Sequence, residues 1–273
     1  EELYEKEKPD MVLVYGDTNS TLAGALCASK LLIPVAHIEA GLRSFNMNMP
    51  EEQNRILTDH ISKYLFVPTA SAIKNLSNEG VTSGVYNVGD VMYDATLNFS
   101  KLSKEKSKIM KELNLKQEEF ILATIHRAEN TNDINRLRNI IEALNESGQQ
   151  VILPLHPRTK KYMDDYNLSF NKNIKIIDPV GYLDMISLEM HCRKIITDSG
   201  GVQKEAFFMN KPCITMRDET EWVETVDNGW NIVVGTNKAK ILDGIINFTP
   251  NKAQQNIFGD GHAAEKILEI INK

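Results

Sequence analysis

Residues 195–206 read IITDSGGVQKEA, and this stretch decides which fold and which kind of ligand the sequence predicts. An apolar run of strand length ends at Asp198 and Ser199, and the pair Gly200-Gly201 then opens a stretch with helical character. Glycines at such a junction let the backbone approach a ligand closely, while the N–H groups and dipole of the first helical turn favour an anion. The stretch therefore predicts a phosphate-binding turn, and a tight turn capped by Ser199 is the alternative.

Glu205 favours the ligand-binding interpretation of this turn. It lies one helical turn after the glycines, so its side chain points toward the same end of the predicted helix. An acid at this place accepts hydrogen bonds from ribose hydroxyls in dinucleotide sites. The alternative is a surface acid that complements the positive end of the helix dipole.

Strand-length apolar runs alternate with helix-length amphipathic stretches on both sides of this turn. The runs are DMVLVYGDT, PVAHIEA, YLFVP, VYNVGD, FILATIH, QVILPLH, KIIDP, KIITDSGG and PCITM. Because the strands are apolar on both faces, they predict parallel sheets covered by helices, which is an α/β fold. The lysine-rich stretch 101–119 predicts a connection between two α/β units.

The composition is that of an ordinary globular protein. The 273 residues are 42% hydrophobic and 25% charged, and the three cysteines show neither a disulfide framework nor the spacing of a zinc ribbon. A net charge of −6 disfavours a broad nucleic-acid-binding surface. No apolar stretch approaches the roughly 20 residues of a membrane span, and the first residues do not read as a signal peptide. We therefore expect a cytoplasmic protein with no membrane or nucleic-acid partner.

Polar residues follow most of the predicted strands, at the edge where open α/β sheets bind their ligands. These residues are Asp17, Glu39, Asp90, His126, Arg127, His156, Arg158, Asp178, Asp198 and Ser199. Asp90 and Asp178 are interpreted as turn formers. We predict no metal site, because the other histidines have no neighbour at metal-ligand spacing. They are His37, His60, His191 and His262.

Five segments are together similar to one enzyme family. They are GDTNST (16–21), HIEAGLRS (37–44), PEEQNR (50–55), TIHRAEN (124–130) and DSGGVQKEA (198–206). In this order they resemble the motifs of the non-hydrolysing UDP-N-acetylglucosamine 2-epimerases of bacteria. The resemblance implies a glycosyltransferase-B-like fold of two Rossmann-like domains with parallel sheets and no cofactor. It also implies a homodimer that supplies precursors of cell-envelope polysaccharides.

The resemblance further implies how the chain divides. Residues 1–97 and a C-terminal helix at 260–273 would form the first domain, on the sugar side, and residues 98–259 the UDP-binding domain. The apolar face of that helix is predicted to comprise Ala264, Ile267, Leu268 and Ile271. The family's first βα units and its GTRPE loop have no counterpart in this sequence. We therefore expect an incomplete first domain with an exposed sheet edge.

The chemistry that the resemblance implies is anti elimination of UDP to 2-acetamidoglucal, then re-addition of UDP after protonation of the other face of C2. Carboxylates stabilise the oxocarbenium-like charge that builds up as the anomeric bond breaks, and acid/base groups move the proton between the faces. The family's cleft carboxylates correspond to Asp17, Glu39 and Glu51, and which one takes the proton is left open. The alternatives are a helix cap for Asp17 and a helix-dipole acid for Glu51.

On the UDP side, the resemblance points to the second domain. His126 is expected to contact UDP and to stabilise the departing diphosphate, so it joins the catalytic set. The expected UDP-binding residues are His126, Arg127, Ser199, Gly200, Gly201 and Glu205. His156 matches a family position linked to a second, allosteric UDP-N-acetylglucosamine, and a structural turn residue is the alternative.

Trp222 departs from the family's pattern. In DETEWVE (218–224) it stands where many members have the arginine of TERPE, which lies near the nucleotide. The substrate is therefore open among related sugars, including a UDP-2,3-diacetamido sugar. A hydrolysing epimerase, a glycosyltransferase of the same fold and a UDP-binding remnant without activity are further alternatives.

Overall fold

The computed structural model describes residues 1–272, and the chain forms two compact units. The first unit contains Glu1–Ala95 and the C-terminal segment that starts at Asn256, and the second contains Thr96–Gln255. The boundaries expected from the sequence lie after residues 97 and 259, and those of the two compact units lie a few residues earlier, after Ala95 and Gln255. Both units consist of parallel strands that alternate with helices, which is the predicted α/β class.

The first unit is built around a parallel sheet. Its elements before the boundary are α1 (Glu2–Glu7), β1 (Val12–Tyr15), α2 (Asn19–Lys30), β2 (Val35–Ile38), α3 (Pro50–Ile61), β3 (Tyr64–Val67), α4 (Ala70–Asn78) and β4 (Val85–Asn87). The strands pair in the order β1-β2-β3-β4. Strand β1 lies at the edge, where its Leu13 and Tyr15 side chains are exposed. The carboxyl ends of the neighbouring strands β1 and β2 lead directly to Asp17 and Glu39.

The second unit is built around a larger parallel sheet. From the boundary onward the elements are α5 (Val91–Lys106, which runs across the boundary), α6 (Ile109–Glu112), β5 (Ile121–Thr124), α7 (Ala128–Thr131), α8 (Ile134–Glu146), β6 (Val151–Pro154), α9 (Pro157–Asp165), β7 (Ile174–Ile177), α10 (Tyr182–His191), β8 (Lys194–Thr197), α11 (Gly200–Phe208), β9 (Cys213–Thr215), α12 (Val223–Asp227), β10 (Asn231–Val233) and α13 (Lys238–Asn247).

The order of the second sheet, β10-β9-β8-β5-β6-β7, determines where its site lies. Alternate residues of β5 belong to two different apolar clusters, Ile121 and Ala123 to one and Leu122 to the other. Both faces of the sheet are therefore covered by apolar side chains. From β5 the chain winds outward to β6 on one side and to β8 on the other. Ligands of open α/β sheets bind at such a switch point, here the carboxyl ends of β5 and β8.

The C-terminal helix α14 (Ala263–Ile271) belongs to the first unit. Ala263 and Ile267 are buried in a cluster that includes residues of β2 and β3. The predicted apolar face is wrong for Ala264 and Leu268, which are both exposed. The sequence alone could not distinguish these neighbouring stripes, because apolar residues also occupy the adjacent helical positions.

Two further features concern the chain as a whole. Within residues 1–272, no helix combines the length and the apolar character that a membrane crossing requires. The three cysteines, Cys27, Cys192 and Cys213, are free thiols. Lys273, which the sequence analysis included in the C-terminal helix, lies outside the described residues.

Candidate active site

Asp198 organises the switch point of the second sheet. It follows β8, is fully buried, and accepts hydrogen bonds of 3.1 Å from the backbone N–H groups of His126 and Arg127. The side-chain amide of Asn130 donates a further bond of 3.1 Å. Because a buried carboxylate requires such donors, Asp198 fixes the segment after β5 in one place. Asp198 is not among the site residues predicted from the sequence, although its position directly after an apolar strand is a signal for it.

His126 lies in a cluster of groups that can carry positive charge. Its Nδ1 is 3.4 Å from Asp198 Oδ1, and its ring centroid is 5.9 Å from that of His156. Burial lowers the pKa of His126; Asp198 opposes this shift, while His156, Arg127 and Arg158 add to it. An anion placed among these groups would relieve their mutual repulsion. The cluster therefore suits a diphosphate.

His156 has a structural role that the sequence analysis gave as its alternative. Its Nδ1 accepts a hydrogen bond of 3.1 Å from the backbone N–H of Arg158, so it caps the amino end of α9. This bond leaves Nε2 as the protonated nitrogen of the neutral ring. The allosteric role stays a prediction.

The predicted strand-to-helix turn at Ser199 is present in the structure. Helix α11 begins at Gly200, and the Ser199 hydroxyl accepts a hydrogen bond of 3.4 Å from the N–H of Val202. The Ser199 N–H donates to Thr197 Oγ1 over 2.9 Å, which orients the turn. Ser199 therefore caps the helix, and the first helical turn is positioned at the end of β8 beside Asp198.

The segment that contains Trp222 packs against this helix start. A Cβ atom at Gly200 would lie 2.5 Å from Glu221 Oε1, so the glycine leaves room for that carboxylate. Arg217 holds Glu221 through an ion pair of 2.8 Å. The Trp222 ring is buried, and Lys204 Nζ lies 4.1 Å from its centroid. The tryptophan therefore fills space against α11, and Arg217, which the sequence analysis did not identify, brings a guanidinium to this segment.

Glu205 lies in the second turn of α11 and is almost completely buried. Its Oε1 accepts a hydrogen bond of 2.8 Å from the Tyr182 hydroxyl. Burial raises the pKa of Glu205, and the bond from Tyr182 and the charge of Lys204 oppose the rise. Its burial excludes the alternative of an ordinary surface acid.

Glu39 of the first unit has an unusual backbone conformation. Its φ of 74° lies in the left-handed region, which a non-glycine residue occupies only at an energetic cost. The N–H groups of Glu39 and Ala40 both donate to the carbonyl of Phe66 over 3.1 Å, and these bonds hold the turn after β2. A Cβ atom at Gly16 would lie 3.4 Å from Glu39 Oε2. The Glu39 carboxylate therefore lies beside the turn that carries Asp17.

Asp17 is not the cap of the following helix. Thr18 caps α2, because its hydroxyl accepts a hydrogen bond of 3.3 Å from the N–H of Thr21. The Asp17 carboxylate instead forms an ion pair with Arg55, and its backbone carbonyl accepts a bond of 2.9 Å from the Asn54 amide. The alternative interpretation of Asp17 as a helix cap is thus wrong, and its side chain is 30% exposed.

Two adjacent glutamates at the start of α3 differ in their surroundings. Glu52 is fully buried and accepts hydrogen bonds from the N–H groups of Ser44 (2.9 Å) and Phe45 (2.8 Å) and from Arg55 (2.9 Å). Glu51 is half-buried, and its carboxylate makes no hydrogen bond or ion pair with the residues that the structure describes. Glu52 therefore holds the loop before α3, while Glu51 is available to a ligand.

His37 has partners that the sequence analysis missed. Its Nδ1 is 2.6 Å from Asp59 Oδ1, and its Nε2 donates to the carbonyl of Gly16 over 2.8 Å. Asp59 Oδ2 also accepts bonds from Arg43 (2.7 Å) and from the N–H of Gly41 (3.1 Å). These partners lie far away in sequence, so a search for neighbours at short spacing does not find them. This buried network supports the turns that carry Asp17 and Glu39.

The first unit thus brings Asp17 and Glu39 together at the ends of β1 and β2, and Arg55 links Asp17 to the start of α3, where Glu51 lies. The second unit brings His126, Arg127 and the glycine turn together. Among residues 1–272, no group of three histidine, cysteine, aspartate or glutamate side chains is arranged to hold a metal ion.

Comparison with known proteins supports the resemblance stated from the sequence. The protein is similar to a UDP-N-acetylglucosamine 2-epimerase homolog of Methanococcus maripaludis. The two sequences are 58% identical, and the match covers 99% of this chain and 78% of the relative. It is also 52% identical to the UDP-2,3-diacetamido-2,3-dideoxy-D-glucuronate 2-epimerase of Pseudomonas aeruginosa. That match covers the full length of this chain and 77% of the relative.

Solved structures of the same kind of enzyme are also similar to this chain. The crystal structure of UDP-GlcNAc 2-epimerase from Methanocaldococcus jannaschii, in complex with UDP-GlcNAc and UDP, superposes with a TM-score of 0.91 at 48% identity. The superposition covers 99% of this chain and 78% of that one. The glycosyltransferase-B-like α/β fold expected from the sequence is thereby confirmed. The profile of one family, described as UDP-N-acetylglucosamine 2-epimerase, matches residues 1–272, and the chain belongs to that family.

Proposed function

We propose that the protein converts UDP-N-acetylglucosamine to UDP-N-acetylmannosamine by eliminating and re-adding UDP. The observation that carries the proposal is the convergence of Asp17 and the strained Glu39 at the ends of two adjacent strands. An acid held in a strained backbone conformation at a strand end is expensive to maintain, and such strain is typical of functional sites. Membership of the family supports the choice of reaction.

The second unit would hold the nucleotide. The diphosphate would lie against the first turn of α11, beside the Ser199 cap, where N–H groups and the helix dipole favour negative charge. His126 and Arg127 would stabilise the charge that builds up on UDP as the anomeric bond breaks. Glu205 would accept hydrogen bonds from the ribose hydroxyls.

The carboxylates of the first unit would act on the sugar. As UDP departs, positive charge develops at the anomeric carbon, and a carboxylate such as Asp17 or Glu39 stabilises it. One carboxylate then takes the C2 proton, giving 2-acetamidoglucal and UDP, which both stay bound. A proton is returned to the opposite face of C2, and UDP adds back to the anomeric carbon. One proton leaves C2 and one returns to it, so the enzyme ends the cycle with the number of protons it started with.

Turnover in deuterated water tests this proposal. The product UDP-N-acetylmannosamine is expected to carry deuterium at C2, because a proton bound to a carboxylate exchanges with solvent, and free UDP should not accumulate. Mass spectrometry and NMR of the product measure both quantities. Product without deuterium would exclude the elimination route, and free UDP rising in proportion to product would show a hydrolysing epimerase. Tight UDP binding without turnover would show a binding protein.

A second substrate is favoured by one observation. The Pseudomonas aeruginosa relative, at 52% identity, is named for a UDP-2,3-diacetamido-2,3-dideoxy-D-glucuronate. The ratio of kcat/KM for that sugar and for UDP-N-acetylglucosamine decides between the two candidates. The homodimer, the cytoplasmic location, the allosteric site and the supply of envelope polysaccharide precursors stay predictions that rest on the resemblance.

The affinity for UDP is expected to depend on the protonation of His126. Its pKa is lowered in the free protein, and a bound diphosphate favours the imidazolium, so binding raises that pKa. Affinity should therefore increase as pH falls from the pKa of the complex to the pKa of the free protein. The gain is up to about tenfold for each unit that separates the two pKa values.

Calorimetric titration of the wild type and of His126→Gln across this range measures the effect. The ionisation of UDP itself cancels in the ratio of the two affinities. A ratio that does not change with pH would show that His126 does not meet the diphosphate.

A further inference from the structure

Two glutamates of the second unit, Glu189 on α10 and Glu205 on α11, face each other in the protein interior. Glu189 is completely buried and Glu205 is 5% exposed. Neither carboxyl oxygen of Glu189 receives a hydrogen bond from a donor group in the residues that the structure describes. Glu189 lies two helical turns after Tyr182 on the same face of α10, and the Tyr182 hydroxyl donates to Glu205 over 2.8 Å, so this face of α10 is turned toward Glu205. Two buried carboxyl groups that face each other in this way share a proton, because two charges cannot be held there together.

The surroundings of the pair decide which glutamate carries that proton. Glu205 already accepts a hydrogen bond from the Tyr182 hydroxyl at 2.8 Å and lies near the charge of Lys204. Both interactions stabilise the ionised form of Glu205. Burial and the charge of Glu205 raise the pKa of Glu189 well above its usual value. Glu189 is therefore the protonated partner and donates to Glu205.

We propose that Glu189 is a positioning residue whose protonated carboxyl group donates a hydrogen bond to Glu205 and so aims the Glu205 carboxylate at the ribose hydroxyls of the nucleotide. The inference rests on the ribose-binding role assigned to Glu205 under the proposed function. With Tyr182 and Glu189 as fixed donors, the carboxylate cannot rotate freely. The remaining lone pairs of its oxygens then have one direction in which to accept further bonds.

Because of this pair, we expect the recognition of the ribose hydroxyls to weaken at alkaline pH. When Glu189 loses its proton, two carboxylates repel each other and Glu205 is pushed from its position, so the preference for ribose hydroxyls falls as pH rises. The other titratable and charged groups that face the pair or its neighbours are Tyr182 on α10, Lys204 on α11, Cys192 after α10, Lys211 before β9 and Cys213 on β9.

The tyrosine and the two thiols do not cause this loss of ribose recognition at moderately alkaline pH. Burial, together with the charge of Glu205, raises the pKa of Tyr182, and burial raises that of Cys213 to about 12. Burial likewise raises the pKa of Cys192. Because the pKa of each of these three groups is raised above its ordinary value, none of them gains charge at moderately alkaline pH. Helix α5 contributes Phe99, whose ring meets that of Tyr182 edge-on at 5.2 Å and carries no charge.

Binding of UDP and of 2′,3′-dideoxy-UDP to the wild type, Glu189→Gln and Glu189→Leu tests the inference. The ratio of the two affinities isolates the ribose hydroxyls, and ionisation of uracil or diphosphate cancels in it. At neutral pH the wild type should prefer UDP by about tenfold or more, since hydrogen bonds to a charged acceptor are strong. Glu189→Gln should keep this preference, because its amide also donates to Glu205. Glu189→Leu, with no donor, should lose most of it without weakening dideoxy-UDP binding.

The same ratio measured from about pH 6 to about pH 9 separates the variants further. The preference of the wild type should decline on the alkaline side, while that of Glu189→Gln should stay constant. Equal affinity of the wild type for both nucleotides would overturn the ribose role of Glu205, and with it that part of the proposed function. A clear preference that is the same in all three proteins would overturn only the role of Glu189. A loss in Glu189→Gln as large as in Glu189→Leu would show that a carboxyl group, and not a hydrogen-bond donor, is required.

Discussion

Replacing Glu51 by glutamine is expected to lower kcat for epimerisation by about 10²–10⁴-fold, which is the usual contribution of a general acid or base. The half-buried Glu51 carboxylate has no partner among the described residues, so its charge is not used to hold the fold. The thermal stability of the variant and its affinity for UDP should therefore stay close to those of the wild type. Initial rates, a UDP titration and a melting curve measure the three quantities.

The neighbouring Glu52 provides the matched control for this experiment. Glu52→Gln changes the same chemical group one residue away, but Glu52 is a buried acceptor for Ser44, Phe45 and Arg55. It should mainly destabilise the protein, because an amide cannot replace a buried carboxylate that pairs with an arginine. Glu5→Gln, on the exposed face of α1, should change neither stability nor rate. A normal kcat in Glu51→Gln would remove Glu51 from the acid/base set and leave Asp17 and Glu39.

Replacing Asp59 by alanine is expected to destabilise the first unit by about 3–5 kcal/mol, the range for breaking a buried ion pair. The substitution removes an acceptor from His37, from Arg43 and from the N–H of Gly41, all of them buried. Since domains are stable by only about 5–15 kcal/mol, such a loss is a large part of the total.

Amide hydrogen exchange measures this effect within the first unit. The amides of β2 and β3 should exchange faster in Asp59→Ala, and those of β5 and β8 in the second unit should change less. Asp10→Ala, the same substitution at an exposed position, is the control. Exchange of β2 and β3 at the wild-type rate would show that the His37 network contributes nothing to stability.

The fold class could be predicted from the sequence because its signals are local. Apolar runs of strand length and amphipathic stretches of helix length record which segments are covered on both faces, and the structure forms parallel strands where those runs lie. The turn at Ser199 could also be predicted from the sequence, since a helix cap involves residues only three positions apart. The apolar face of α14 was placed wrongly at Ala264 and Leu268, because a neighbouring stripe of the same helix was also apolar.

The site residues that the sequence analysis missed depend on contacts between distant segments. Asp198 binds backbone groups 71 and 72 residues away, and His37 meets Asp59 across 22 residues. The hydrogen bond from Tyr182 on α10 to Glu205 on α11 likewise joins residues that are 23 positions apart. Such partners are decided by the order of the strands, which a periodic pattern does not record.

The amino-acid sequence by itself determined the α/β class, the glycine turn and the motifs that indicate the family. It did so because chain periodicity, backbone freedom and residue chemistry are properties of short segments. Only the tertiary structure decided that β5 lies beside β8 and β1 beside β2. Those neighbours determine which buried charges find donors, and a buried charge is tolerated only where such a donor is in place.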